Sequence, residues 1–235
     1  MKITFKIHPF FYILALICIF TGYFKNFIFI TFIILFHELG HILCSMFFNW
    51  KIDKVIVLPF GCLTLFDEYI NRPIKEELLI AIIGPIFQSF LFLIDNALFR
   101  NYNLNLLLFN LLPILPLDGS KILNLLLNKI SSFKTSHLIS IIISIIFMSF
   151  LFYFKFNLIL YLSLIFLIYR TYQEYKNHNF LFNRFLFERY IYHFNFKKEK
   201  IIKKNTKMKR DYRHIIYFKN KYITERNFLA KLFDN

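Results

Sequence analysis

The sequence predicts an α-helical polytopic membrane protein with about six transmembrane helices, a short β-hairpin at the membrane face and a basic cytosolic tail. Hydrophobic residues make up 57% of the 235 positions, whereas a soluble domain is usually about 45–50% apolar. The apolar residues fall in long runs, and roughly 20 in a row suffice for a helix to cross a bilayer. The net charge is +15, and 17 of the 29 Lys and Arg residues lie from Arg170 onward, so the charge belongs to the tail.

Two apolar runs predict the first two helices, at 8–24 and near 26–48. No small-x-small cleavage site follows the first run, which argues against a cleaved signal peptide. The connection at 49–77 is polar at both ends and apolar in the middle, and Pro59 and Gly61 mark a turn between two short strands. We expect a hairpin that lies at the membrane face, with an ordinary interfacial loop as the alternative.

The fourth predicted helix is broken. Pro113, Pro116 and Gly119 cannot continue a regular helix. Irregular backbone at membrane depth is tolerated only where it is buried in protein or lines a cavity. We therefore expect Asp118, which lies in this segment, to be inside the protein. The helices after the second are predicted at 78–98, 104–128, 137–154 and 157–170.

The chain is predicted to consist of an intramembrane domain at 1–170 and a basic cytosolic tail at 171–235. The tail begins with aromatic residues mixed with charges, which is typical of an amphipathic interfacial helix, and continues through a basic linker at 197–204. Its last stretch, 212–233, has the length of a strand plus a helix and is too short for an independent core. The charge favours a flank that faces anionic lipid, and we expect no nucleic-acid partner.

The distribution of basic residues predicts the orientation. An even number of helices places both termini on one side, together with the basic connection at 49–77 and with Lys129 and Lys134. By the positive-inside rule that side is the cytoplasm. The second and fourth helices then run in the same direction, and we expect His37, His41 and Asp118 to lie at a similar depth toward the cytosol.

The stretch His37-Glu38-Leu39-Gly40-His41 follows the H-E-x-x-H pattern of zinc hydrolase helices. Side chains at i and i+4 share one helix face, with Cβ atoms about 5–6 Å apart, so both histidines can bind one metal ion. Glu38 lies beside them and would act as the base that deprotonates the attacking water. Ionisable groups are costly inside a hydrophobic span and are functional by default. The alternative is a pair of buried histidines that are hydrogen-bonded to neighbouring helices.

Asp118 is the candidate for the third ligand. Catalytic zinc typically takes three protein ligands, and two histidines with one carboxylate are an established set, so the expected cofactor is Zn²⁺. The alternative is that Asp118 is the N-cap of the following helix. The nearby Asn110 could donate its amide to substrate backbone or fix the broken segment. Cys18, Cys44 and Cys62 form no C-x-x-C pattern, so neither a cysteine metal site nor a disulfide framework is expected.

Two motifs together resemble the site-2 protease family of intramembrane zinc metalloproteases, peptidase family M50. These are the HELGH span and the N-x-x-P-x-x-x-x-D-G segment formed by Asn110, Pro113, Asp118 and Gly119. More narrowly, the stretches 58–61, 71–77, 84–85 and 112–119 look like the stage IV sporulation protein FB branch. The resemblance implies cleavage of a peptide bond in or near the membrane, with His37, His41 and Asp118 as zinc ligands and Glu38 as base.

In that branch the substrate is a membrane-associated protein, the pro-form of a late sporulation sigma factor, and other membrane proteins hold the protease inactive. The resemblance therefore implies a multi-pass protein of the bacterial cell membrane or of a membrane around the forespore. It also implies that Phe60, Asn110, Pro113 and Pro116 belong to elements that admit and position substrate. Members often end in a nucleotide-sensing CBS domain, and 171–235 is long enough only for a truncated remnant, which puts control by ATP in doubt. The sequence leaves open whether the protein forms an oligomer.

Two other function classes remain open from the sequence. A different membrane metalloenzyme, such as a prenyl-protein protease, would leave the Asn-Pro-Asp-Gly segment unexplained. A non-proteolytic regulator or transporter with an intramembrane metal site would not need Glu38, whose presence favours an enzyme.

Overall fold

The computed structural model describes residues 4–58, 61–66, 68–151, 158–192, 194, 196–218 and 221–234. The chain forms two compact units. The first contains Met1–Glu68 and Leu79–Leu111, and the second contains Tyr69–Leu78 and Leu112–Asn235.

The first unit contains a three-stranded sheet. Strand β1 (Thr4–Ile7) pairs parallel with β2 (Ile52–Leu58), and β2 pairs antiparallel with β3 (Gly61–Phe66). The antiparallel pair lies where the sequence predicts two strands, and its position at the membrane face stays a prediction. Strand β1 was not expected, because it is short and its partner is distant in the sequence.

Helix α2 (Phe24–Phe47) has one stripe of buried residues along its length. Its buried residues recur at helical spacing, whereas Leu35, Leu39 and Leu43 on other faces are exposed. The stripe is apolar at its start, where Ile33 packs in a cluster with Leu91 and Phe99. It then becomes polar, so α2 carries a polar site on its protein-facing side. The buried residues are Ile33, His37, Gly40, His41 and Ser45.

The other helices of this part of the chain differ in their bounds from the prediction. Helix α3 (Ile74–Ser89) begins directly after Pro73, four residues earlier than predicted. The acidic Glu76 and Glu77 lie in its first turn, whereas the prediction placed them in the preceding connection. The 3₁₀ turn Phe90–Leu93 follows α3. The bounds are α1 Pro9–Phe20, α3 Ile74–Ser89 and α4 Ala97–Asn110.

The second unit contains α5 (Asp118–Ile130), α6 (Phe133–Leu151) and α7 (Leu158–Ile191). Helix α7 has 34 residues, which correspond to about 51 Å at 1.5 Å per residue. The bilayer core is roughly 30 Å thick, so α7 is longer than a span needs. The stretch predicted as a separate amphipathic helix is continuous with it.

The end of the chain folds onto the ends of α6 and α7. Strand β5 (Tyr212–Phe218) pairs parallel with β4 (Lys198–Ile202) and antiparallel with β6 (Lys221–Thr224). One hydrophobic core joins these strands to the helices; it includes Phe133, Phe185, Met208, Ile216 and Leu229. The basic linker contains β4, and the last stretch contains two strands and a helix. The bounds are β4 Lys198–Ile202, β5 Tyr212–Phe218, β6 Lys221–Thr224 and α8 Glu225–Phe233.

A buried arginine holds this tail in place. The Arg189 side chain is 1% exposed. It donates to the Asn71 side chain, to the carbonyl oxygen of Tyr212 and to the Glu225 carboxylate at 2.7–2.9 Å. The Glu225 carboxylate also accepts from His214. The tail is therefore an integral part of the second unit, and the predicted boundary at residue 170 stays untested.

The chain is a membrane protein. Among the described residues, three helices are long and apolar enough to cross a bilayer, and the apolar helix α1 is shorter. A count of six spans and a cytoplasmic location of both termini remain predictions. The three helices are Phe24–Phe47, Ile74–Leu93 and Phe133–Leu151.

Candidate metal centre

Two imidazoles form the centre of the site. His37 and His41 are 3% and 6% exposed, and their Nε2 atoms are 3.0 Å apart. The i, i+4 spacing on α2 puts both rings on the buried stripe. A Cβ atom at Gly84 of α3 would lie 2.3 Å from the His41 ring, so glycine at this position leaves the space that the imidazole occupies.

Hydrogen bonds at the far side of each ring fix its tautomer. The His41 Nδ1 atom lies 2.7 Å from the carbonyl oxygen of Ile80, which can only accept, so Nδ1 carries the proton. The His37 Nδ1 atom lies 2.8 Å from Oε1 of Gln88. The Gln88 amide nitrogen donates to the backbone oxygen of Asn103 at 3.1 Å, so its Oε1 faces His37 as an acceptor. Both Nε2 atoms therefore present lone pairs.

The chemistry of these donors fits a metal ion. Two nitrogen lone pairs that face each other at 3.0 Å in a buried site repel unless a proton or a metal ion lies between them. The sequence predicts Asp118 of the second unit as the third ligand. Asp118 is 7% exposed. Two imidazoles and one carboxylate are a recognised donor set for zinc.

Asp118 is the first residue of α5. Leu117 occupies the N-cap position, so the alternative that Asp118 is the cap does not hold. The Asp118 carboxylate lies 3.6 Å from the ammonium of Lys121. This salt bridge and the helix N-terminus both favour an ionised carboxylate, the form that binds a metal.

Hydroxyl groups support the broken segment before Asp118. The Leu115 amide donates to Ser144 Oγ at 3.0 Å, and its carbonyl oxygen accepts from Thr171 at 3.2 Å. Ser144 also donates to the carbonyl oxygen of Pro113. These contacts satisfy backbone groups that a helix would otherwise pair. Sequence reasoning missed Ser144 and Thr171, although a serine at every fourth position of α6 was a usable signal.

Glu38 is held by the sheet. Its side chain is half-buried, and its Oε2 atom accepts a hydrogen bond from Thr64 Oγ1 at 2.9 Å. Thr64 lies on β3, so the carboxylate is oriented by a residue far away in the sequence. The sequence offered no signal for this pairing, and Thr64 was not among the predicted residues.

The residues predicted to position substrate lie at or near the break. Asn110 is the half-buried last residue of α4, and its side chain makes no hydrogen bond with another described residue. Pro113 and Pro116 are half-buried between α4 and α5. Phe60 lies outside the described residues. The positioning role of these four residues stays a prediction.

Comparisons with known proteins agree with this chemistry. The model of peptidase family M50 matches residues 25–99 and 91–154, more than half of the chain. The chain is 34% identical to stage IV sporulation protein FB of Bacillus subtilis over 228 residues, which cover 89% of this chain and 79% of that protein.

Similarity extends to a sequence and a solved structure from Methanocaldococcus jannaschii. The chain is 34% identical over 152 residues to a zinc metalloprotease of Methanocaldococcus jannaschii, of which it covers 44%. The solved structure of the site-2 protease from Methanocaldococcus jannaschii superimposes with a TM-score of 0.57 at 28% identity, covering 74% of this chain and 91% of that one. The helical architecture is therefore that of a site-2 protease.

Proposed function

Since the chain belongs to peptidase family M50 and is thus an intramembrane zinc metalloprotease, we propose that His37, His41 and Asp118 hold the zinc ion and that Glu38 is the general base. The observation that carries the proposal is the pair of buried imidazoles whose Nε2 atoms are 3.0 Å apart, and Asp118 would complete a recognised donor set for zinc. A direct hydrogen bond between the two Nε2 atoms would instead require one ring to be a cation with protons on both of its nitrogens.

Zinc bound at these residues supplies Lewis acidity, which eases deprotonation of water and stabilises negative charge on the scissile carbonyl oxygen. The Glu38 carboxylate accepts the proton of the attacking water and delivers it to the leaving amine. Thr64 holds Oε2 of Glu38, which leaves Oε1 for the proton transfer. The hydrogen bonds to Ile80 and Gln88 hold the two imidazoles in place while this occurs.

The substrate is best accommodated as an extended strand, because the carbonyls of a helix are engaged in hydrogen bonds. Strand β3 is at the edge of the three-stranded sheet, and an exposed edge can pair with a peptide. Thr64 on this strand contacts Glu38. A peptide that pairs with β3 would thus lie beside the base.

The proposed substrate is a membrane-associated protein, the pro-form of a sporulation sigma factor. Similarity to stage IV sporulation protein FB along most of the chain supports this choice. Inhibitory membrane proteins are proposed as partners. The proposed location is the bacterial cell membrane or a membrane around the forespore, with both termini in the cytoplasm.

Co-expression with a tagged pro-sigma factor from the same organism tests the proposal on a blot. Wild type should yield a shortened product, and Glu38→Gln should not. Asp95→Asn makes the same change of a carboxylate to an amide at an exposed position and should cleave like wild type. A product with Glu38→Gln at equal expression would contradict the role of Glu38.

A further inference from the structure

A buried amide pair lies behind the metal centre. Gln88 of α3 and Asn103 of α4 are both 0% exposed. Asn103 shares a helix face with Phe99 and Leu106, which belong to a hydrophobic cluster. A buried amide costs roughly 1–3 kcal/mol unless it is hydrogen-bonded, so its presence there needs an explanation.

The two amides are bonded to each other. The Gln88 Nε2 atom donates to both the backbone oxygen and the Oδ1 atom of Asn103, each at 3.1 Å. The Asn103 Nδ2 atom in turn donates to the backbone oxygen of Gln88 at 3.4 Å. The Gln88 Oε1 atom then has one contact, the Nδ1 atom of His37 at 2.8 Å.

This arrangement selects one orientation of the Gln88 amide. Rotation by a half-turn would place Oε1 against two acceptor oxygens of Asn103 and would leave buried donors and acceptors unpaired. It would also turn the NH₂ group toward His37. The Nδ1 atom of His37 would then have to accept, and the ring proton would move to Nε2. An imidazole with a proton on Nε2 cannot bind a metal through that atom.

We propose that Asn103 is a positioning residue of the metal centre. It fixes the orientation of Gln88, and Gln88 fixes the tautomer of His37 that presents the Nε2 lone pair to zinc. The inference rests on the proposed ligand role of His37. Asn103 lies on α4, which contributes no ligand, and yet its side chain would raise the affinity for zinc.

Zinc affinity, measured by competition with a chromophoric chelator on the detergent-solubilised full chain, tests the inference. Asn103→Leu removes the Oδ1 acceptor and keeps the backbone oxygen, so it should weaken zinc binding about 10-fold, the lower end of the usual cost of losing outer-shell support. Asn105→Leu changes an exposed asparagine of the same helix and should bind zinc like wild type. The zinc content of wild type is measured first, and its absence would refute the proposed ligand set and this inference with it.

A second substitution separates orientation from packing. An ionised carboxylate in place of the Gln88 amide presents an acceptor oxygen to His37 in either orientation. Adding Gln88→Glu to Asn103→Leu should therefore restore most of the lost zinc affinity. Zinc affinity in Asn103→Leu that equals that of wild type would overturn the inference. So would a loss that Gln88→Glu does not restore, or one that Asn105→Leu reproduces, because both indicate a general packing effect.

Discussion

Substitution of Gly84 is expected to remove the metal without touching a ligand. In Gly84→Ala the new Cβ atom would lie 2.3 Å from Cε1 and Nε2 of His41. Ordinary contact begins near 3.4 Å, so the ring must retreat by about 1 Å. That movement strains the 2.7 Å hydrogen bond from His41 Nδ1 to the Ile80 carbonyl oxygen.

The required shift is large on the scale of metal coordination. Zinc–nitrogen distances are held to within about 0.2 Å, so a ring displaced by about 1 Å is lost as a ligand. We expect zinc affinity to fall by on the order of 100-fold or more, beyond the range for outer-shell changes. The folded state should also lose about 1–3 kcal/mol from overpacking.

Chelator competition and thermal unfolding of the purified chain measure both effects. Gly61→Ala is the matched control, since a Cβ atom there meets nothing within 4 Å. In Gly40→Ala the new Cβ would lie 2.9 Å from Phe87, a neighbour on α3; it should lower stability with a smaller effect on zinc. Wild-type zinc affinity in Gly84→Ala would refute the placement of α3 against His41.

Three further predictions concern the third ligand, the base and the tail. Asp118→Asn should lose zinc and activity together; full zinc content with full activity would exclude Asp118 as a ligand. Thr64→Val should keep zinc but lower kcat about 10-fold, since a hydrogen bond to a charged group is worth about 1.5–3 kcal/mol; unchanged kcat would contradict the role of Thr64. Burial lowers the pKa of the His214 side chain from 6.5. As the pH falls below 6.5, the unfolded chain therefore binds a proton at this residue that the folded chain does not, and the folded state loses stability. Thermal unfolding at pH 7.5 and 5.5 should show this loss, and a similar loss in His214→Gln would contradict it.

Local sequence was sufficient for the elements whose pattern is periodic. The spacing of His37 and His41 places both on one face of α2 because a helix repeats every 3.6 residues. The prolines of the segment before Asp118 predicted the break that the structure contains, because proline removes a backbone donor. The two motifs together indicated peptidase family M50 and a zinc enzyme, which the comparisons confirm.

Contacts between distant segments were beyond the sequence. Thr64 reaches Glu38 only because β3 folds back on β2 beside α2. Gln88 reaches His37 only because α3 packs beside α2. Gly84 provides the space for the His41 ring, and that contact exists only in the packed helices. The sequence predicted which residues would carry the metal chemistry, since that depends on residue type and helical spacing. Only the tertiary structure decided which partner each Nδ1 atom contacts, because those hydrogen-bond partners come from another helix.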